Sequence, residues 1–168
     1  MARIALVVAM LLATGTAAPA QMPAGPSSLQ ETYGDWTVAC ITQEAVRRCA
    51  MGQRLLQPDG RQVAAIEFSL ADEGMSGLLV LPFGLALERG VVVAVDGAPL
   101  APARFSTCLP GGCLVALSVM PDATSRLDAG ADFEIEAIAN DSSDRVRFTL
   151  PLAGFTEALE RLKQLATP

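Results

Sequence analysis

The stretch Asp132–Leu150, DFEIEAIANDSSDRVRFTL, decides the fold. Phe133, Ile135 and Ala137 alternate with Glu134 and Glu136, and beyond a polar interruption Val146, Phe148 and Leu150 alternate with Arg147 and Thr149. A period of two turns one side of each run toward a core and the other toward water, the pattern of a half-buried strand. Asn140 to Arg145 between them is rich in turn formers, so the two runs pair as an antiparallel hairpin. The acidic residues of the first strand then face Arg145 and Arg147 across the hairpin, and cross-strand ion pairing explains Glu134 and Glu136 more simply than acid–base catalysis or, together with Asp132, calcium binding.

Working back from this hairpin, the chain repeats the same kind of unit. Short segments rich in Val, Ile, Leu and Phe run from Asp35 to Cys40, Arg48 to Leu56, Gln62 to Leu70, Gly77 to Leu81, Gly90 to Val95, Arg104 to Cys108 and Cys113 to Val119. Asp59-Gly60 and Asp96-Gly97 are the strongest hairpin turns, since glycine accepts the positive φ that tight turns need. About nine short antiparallel strands without intervening helices predict an all-β sandwich or barrel. Working forward, the period changes: Phe155, Ala158, Leu159, Leu162 and Leu165 recur at helical spacing, with Glu157, Glu160, Arg161, Lys163 and Gln164 on the other face. This predicts one C-terminal amphipathic helix of about three turns, with Gly154 at its start and Glu157 near the positive end of its dipole. A mixed-charge polar face suits a helix laid on the sandwich better than a membrane-surface helix.

The N-terminus has a different logic. Arg3 supplies a positive start, Ile4 to Ala13 are apolar without interruption, and small residues end in Ala18-Pro19-Ala20. This is the pattern of a secretory signal over residues 1–20, cleaved between Ala20 and Gln21. Its apolar core is far shorter than the roughly 20 residues that span a bilayer. No cysteine stands at the cleavage point for lipidation, the first being Cys40, and the later apolar run Leu78 to Leu87 is broken by Pro82 and Gly84. No transmembrane anchor is therefore expected. Residues 21–30, QMPAGPSSLQ, read as a flexible leader, and 31–168 as a single domain.

Cleavage removes one charge, Arg3, and leaves the mature chain one unit more negative than the −6 of the whole sequence. An acidic domain lacks the cationic footprint for nucleic acid. Export also changes how Cys40, Cys49, Cys108 and Cys113 are read, because an even number of cysteines in an oxidising compartment points to disulfides. Three connectivities are possible. The spacing favours Cys40–Cys49 and Cys108–Cys113, each pair flanking a turn and each contributing at best about 2–3 kcal/mol. Zinc fits poorly, with no histidine in the chain and no C-x2-C spacing. No metal or other cofactor is expected.

The lack of histidine also excludes Ser-His and Cys-His nucleophiles. Lys163, the only lysine, lies on the exposed face of the predicted helix. Gly74-Met75-Ser76-Gly77 lacks the full nucleophile-elbow pattern. No catalytic residue is assigned.

Several motifs in a fixed order carry a family resemblance. They are Tyr33-Gly34-Asp35-Trp36-Thr37-Val38-Ala39-Cys40, Cys49-Ala50-Met51 with Gln53 close by, Leu81-Pro82-Phe83-Gly84-Leu85, Gly90-Val91, Asp96-Gly97, Phe105-Ser106-Thr107-Cys108, Gly112-Cys113, and Leu150-Pro151-Leu152-Ala153-Gly154-Phe155. Together they resemble the invasion-associated locus B (IalB) family from about Tyr33 to Leu165. The resemblance implies an exported protein of Gram-negative bacteria with an immunoglobulin-like β-sandwich and, in some pathogens, an association with entry into host cells. It supplies no catalytic residue set.

The sequence and the resemblance lead to a non-catalytic binding protein of the periplasm or cell surface, with an unknown protein partner on a host cell or in the envelope. The alternative is a periplasmic envelope accessory or stress-related structural protein without a host partner. Leu81, Pro82, Phe83 and Leu85 form the candidate partner surface, because Pro82 and Gly84 put Phe83 at a bend within the most apolar run of the mature chain. Folding of Phe83 back over the core is the competing expectation. Trp36 is expected to pack against the neighbouring disulfide.

Overall fold

A computed structural model describes residues 28–44 and 46–166. The signal over residues 1–20, its cleavage point and the first seven residues of the leader lie outside them. Eleven strands form two antiparallel sheets. They are β1 (Ser28–Tyr33), β2 (Trp36–Gln43), β3 (Val46–Leu56), β4 (Gln62–Leu70), β5 (Met75–Leu81), β6 (Val91–Val95), β7 (Ala98–Ala103), β8 (Phe105–Leu109), β9 (Gly112–Val119), β10 (Asp132–Ile138) and β11 (Arg145–Pro151). Two α-helices, α1 (Pro121–Ala129) and α2 (Phe155–Ala166), and a short 3-10 turn over Leu87–Arg89 complete the elements of the described residues. The larger sheet has the order β1-β2-β3-β4-β5-β9-β8 and the smaller β11-β10-β6-β7.

The hairpin of Asp132–Leu150 forms as its alternation predicts. Phe133 pairs with Leu150, Ile135 with Phe148 and Ala137 with Val146, and Phe133, Ile135, Phe148 and Leu150 are buried. On the opposite face Arg145 reaches Glu136 at 2.7 Å, while Arg147 lies 3.2 Å from Glu136 and 3.9 Å from Glu134. Asp96 and Gly97 make the β6–β7 turn with φ of 49° and 74°, the double positive φ of the commonest two-residue hairpin. The Asp96 carboxylate accepts from the N–H groups of Ala131 and Asp132 at 3.1 and 2.9 Å, which ties this turn to the start of β10.

Two strands and one helix escape the sequence pattern. Strand β1 overlaps the segment read as leader, so that reading fails for Ser28, Leu29 and Gln30. Its buried side holds only half-covered Leu29, Glu31 and Tyr33, too weak an apolar alternation to register. Strand β7, APLAPA, carries Pro99 and Pro102, which read as loop but are tolerated on an edge strand where no ladder needs their N–H. Helix α1 starts with Pro121 at its first turn and buries only Leu127, so no 3.6-residue period exists to detect.

The sheets are unequal. Seven strands about 4.8 Å apart span roughly 30 Å, against roughly 15 Å for four. A helix about 10 Å across supplies most of the missing cover. Helix α2 takes that place, packing Phe155, Ala158, Leu159 and Leu162 into the core with Trp36, Met51 and Phe68 of the larger sheet. Trp36 lies 5.1 Å edge-to-face from Phe155 and 5.9 Å from Phe68, while Phe68 meets Phe133 of the smaller sheet at 6.4 Å. Trp36 thus joins an aromatic cluster centred on Phe68 instead of packing on the disulfide. Cys40 lies four residues farther along the same strand, about 13 Å away.

Helix α2 is fixed at both ends. At its start the β1–β2 turn meets the β11–α2 connection backbone to backbone. Asp35 N–H donates to the Ala153 carbonyl at 3.0 Å, and Trp36 Nε1 donates to the Pro151 carbonyl at 3.2 Å. Gly34 and Gly154 both have positive φ, 55° and 87°. A Cβ on Gly154 would stand 2.0 Å from the Tyr33 carbonyl oxygen, and one on Gly34 would stand 2.4 Å from that of Ala153. Farther along, Arg161 clasps Glu31 of β1 with Nε at 2.6 Å and a second nitrogen at 3.0 Å, and Tyr33 donates to the same carboxylate at 3.0 Å. Hydrogen bonds from Arg161, with a smaller one from Tyr33, outweigh partial desolvation and hold the Glu31 carboxyl below the ordinary glutamate range.

Replacing Gly154 with Ala is expected to destabilise the domain by about 3 kcal/mol, because it combines a positive φ with a backbone collision; urea denaturation measures it, and a loss under about 1 kcal/mol would contradict the close approach. The clasp has a pH signature. A depressed carboxyl pKa adds stability above the unfolded-state value, about 4.3, and the gain is lost as pH falls through the folded-state value. Stability should therefore fall on acidification below about pH 4.3, and Glu31→Gln should flatten that part of the stability–pH curve measured by thermal melts.

Candidate interaction surfaces

The cysteines sit on facing rungs of neighbouring strands. Cys40 pairs with Cys49 across β2 and β3, with S–S 2.02 Å and Cα–Cα 4.0 Å. Cys108 pairs with Cys113 across β8 and β9, with S–S 1.97 Å and Cα–Cα 3.9 Å. The alternation of the ladder explains the first position. Tyr33 and Trp36 close the two-residue Gly34-Asp35 turn, so theirs is a hydrogen-bonded rung, and so is the rung of Leu29 with Cys40. The backbone groups of Cys40 therefore point toward β1, which leaves Cys40–Cys49 as a non-hydrogen-bonded rung, where side chains approach most closely. Both disulfides staple strands within the larger sheet.

The candidate partner surface divides. Leu81 ends β5 with 1 % exposure and Leu85 retains 7 %, so both belong to the core and the reading of them as partner-facing is corrected. The cause is position. Leu81 still follows the inward alternation of β5, and Leu85 forms a bridge with Ala139 that carries the chain over to the smaller sheet. Pro82 is half-buried, but Phe83 between them is 61 % exposed. Its bend is firmly held, since the Gly84 carbonyl accepts from Asn140 N–H at 2.8 Å and Ala86 N–H donates to Ile138 at 2.8 Å. Leu81 pairs with Cys113, and Leu109 pairs with Gly112. The exposed Leu109 thus lies at the same end of the sheet as Phe83, and the exposed Leu87 follows shortly in the chain.

A second surface lies on the outer face of the larger sheet, as a groove of about 640 Å³. Small residues make its floor, Ala39, Ala50, Gly52 and Ala65, while Gln30, Arg54, Glu67, Leu78 and Val80 stand around it. One row of the register crosses it from Thr32 through Thr37, Gly52 and Glu67 to Leu78. Sequence reasoning missed this groove because its residues come from five strands and share a face only once the register is known. The small outward side chains of β2 and β3 were the available signal.

The residues considered for catalysis are dispersed. Glu134 and Glu136 are held by the arginines of β11. Ser76 is exposed near the start of β5 opposite Ser118, outside any strand-to-helix elbow. Lys163 lies on the exposed side of α2. Among the described residues no group of three or more His, Cys, Asp or Glu side chains converges to hold a metal ion, and no helix is long and apolar enough to cross a membrane.

Comparison with known proteins places this geometry. The model of the family described as invasion associated locus B (IalB) protein matches residues 36–163. An invasion protein B homolog of Brucella abortus is 36 % identical over 156 residues, covering 92 % of this chain and 90 % of the relative. Invasion protein B of Bartonella bacilliformis is 31 % identical over 150 residues, covering 87 % and 81 %. The crystal structure of invasion associated protein B from Bartonella henselae superposes with a TM-score of 0.77 at 30 % identity, over 82 % of this chain and 96 % of that one. The matched region holds the Trp36 cluster, both disulfides, the Phe83 bend and most of α2, and the chain belongs to the IalB family.

Proposed function

We propose that the protein is exported and acts without catalysis as a binding protein of the periplasm or cell surface, offering the Phe83 bend to a protein partner. The observation that carries this reading is a large aromatic side chain left 61 % exposed on a backbone tied by hydrogen bonds to the β10–β11 connection. An aromatic residue already held in place loses little conformational freedom on binding, and residues of this kind dominate interface energetics. The relatives named as invasion proteins support a role in contact between cells, and the two disulfides support an oxidising compartment.

Two measurements test it. Mass spectrometry of the protein recovered outside the cytoplasm should give an N-terminus at Gln21; a retained signal segment, residues 1–20, would overturn export. Phe83→Ala should leave stability within about 0.5 kcal/mol, as expected for an exposed site, while reducing capture of a partner by the immobilised mature protein at least tenfold from envelope or host-cell extracts. Equal capture by both forms would remove Phe83 from the interface. Strictly periplasmic protein that captures nothing would favour the envelope-accessory reading.

A further inference from the structure

The two sheets have four edges, and three are blunted against pairing. Strand β7 carries Pro99 and Pro102. Strand β8 has a register shift between Phe105 and Thr107 and ends in the Cys108–Cys113 staple. Strand β11 presents the exposed Arg145 and Arg147 and ends at Pro151. Prolines, irregularities and charges of this kind are how monomeric sheets avoid edge-to-edge association. Strand β1 has no proline and no irregularity, and its one charge, Glu31, is paired with Arg161 of its own chain. Its six residues, SLQETY, pair with β2 in unbroken register and contain neither proline nor a basic residue.

The backbone alternation shows what this edge offers. The rungs of Tyr33, Glu31 and Leu29 bond to β2, so the N–H and C=O groups of Ser28, Gln30 and Thr32 point away from the sheet. The side chains of these three residues are exposed and uncharged. The one charge on the strand, Glu31, is already neutralised within its own chain by Arg161.

We propose that a second copy of this chain pairs with β1, antiparallel across a two-fold axis at Gln30, to give one continuous fourteen-stranded sheet. Charge selects this occupant and this register. Centring on Gln30 sets Gln30 against its symmetry mate and Ser28 against Thr32, so no like charges oppose, whereas centring one residue later would set the two Glu31 carboxylates against each other. A self-complementary strand edge generates a closed two-fold dimer without further requirements. The outer-face grooves gain from it. Gln30 stands at the open β1 side of the groove, and pairing would bring the partner copy's Gln30 to the same border, making one continuous site from two. Dimerisation is independent of the Phe83 surface, which lies on the β5–β9 side of the sheet.

The test uses the mature protein from Gln21 in light scattering coupled to size-exclusion chromatography, over a concentration series reaching several hundred micromolar. The expected result is a concentration-dependent mass approaching twice that of one chain. Gln30→Pro removes one outward N–H and no hydrogen bond within the chain, so it should leave the fold intact by circular dichroism and weaken association at least tenfold. Gln30→Lys, which opposes two ammonium groups across the axis, should do the same. A mass of one chain throughout the series, or a dimer that survives both substitutions in folded protein, would overturn the proposal.

Discussion

The contact between Gly34 and Gly154 is the constraint on which the rest of the domain depends. A sheet of seven strands facing one of four leaves an apolar strip uncovered, and among the described residues helix α2 covers it. What fixes the first turn of this helix sets its course over the sheet. Here the chain leaves β11, passes the β1–β2 turn at backbone contact distance and enters α2 with Phe155 already set against Trp36. Glycine is required on both sides, because any Cβ would meet a carbonyl oxygen well inside van der Waals distance. The Glu31–Arg161 clasp then fixes the second half of the helix to the same pair of strands. Helix α2 is thereby integrated with the larger sheet and its removal would open the core.

This junction also gives physical meaning to motifs that the sequence presents as separate. Tyr33-Gly34-Asp35-Trp36 and Pro151-Leu152-Ala153-Gly154-Phe155 are more than a hundred residues apart, yet Trp36 donates to Pro151, Asp35 donates to Ala153, and the two glycines touch. Asp96-Gly97 belongs to a similar arrangement, its turn capped onto the beginning of β10 through the Asp96 carboxylate. Such motifs look like candidate sites in a linear reading, but their chemistry is spent on joining elements.

Much of the architecture was legible because it rests on alternation. The β10–β11 hairpin, the Asp-Gly turns and the amphipathic α2 declare themselves by period, and their ion-paired outer face follows from it. What escaped was structure with only one side in contact. Edge strands β1 and β7 cover their inner faces only partly, and α1 reaches the core through Leu127 with Ala123 half-covered beside it. The partner surface was half legible for a related reason. A proline and a glycine within LLVLPFGLAL announce a bend but do not tell which side chain it turns outward. Leu81 and Leu85 follow the sheets inward, while Phe83 at the bend between them is left in solvent.

The carboxylates that the sequence offers as candidates for chemistry are tied into the fold. Glu31 is clasped by Arg161, Glu134 and Glu136 by the arginines of β11, Asp96 by backbone N–H groups, and Asp128 accepts from Thr156 at 2.6 Å. Each bond joins one element to another: helix to edge strand, strand to strand, turn to strand, helix to helix. With these carboxylates joining elements, the described residues present to solvent an exposed aromatic side chain on a hydrogen-bonded bend, a groove floored by small side chains and the β1 edge. Such features offer shape, apolar area and backbone hydrogen bonds, the means by which proteins pair with one another.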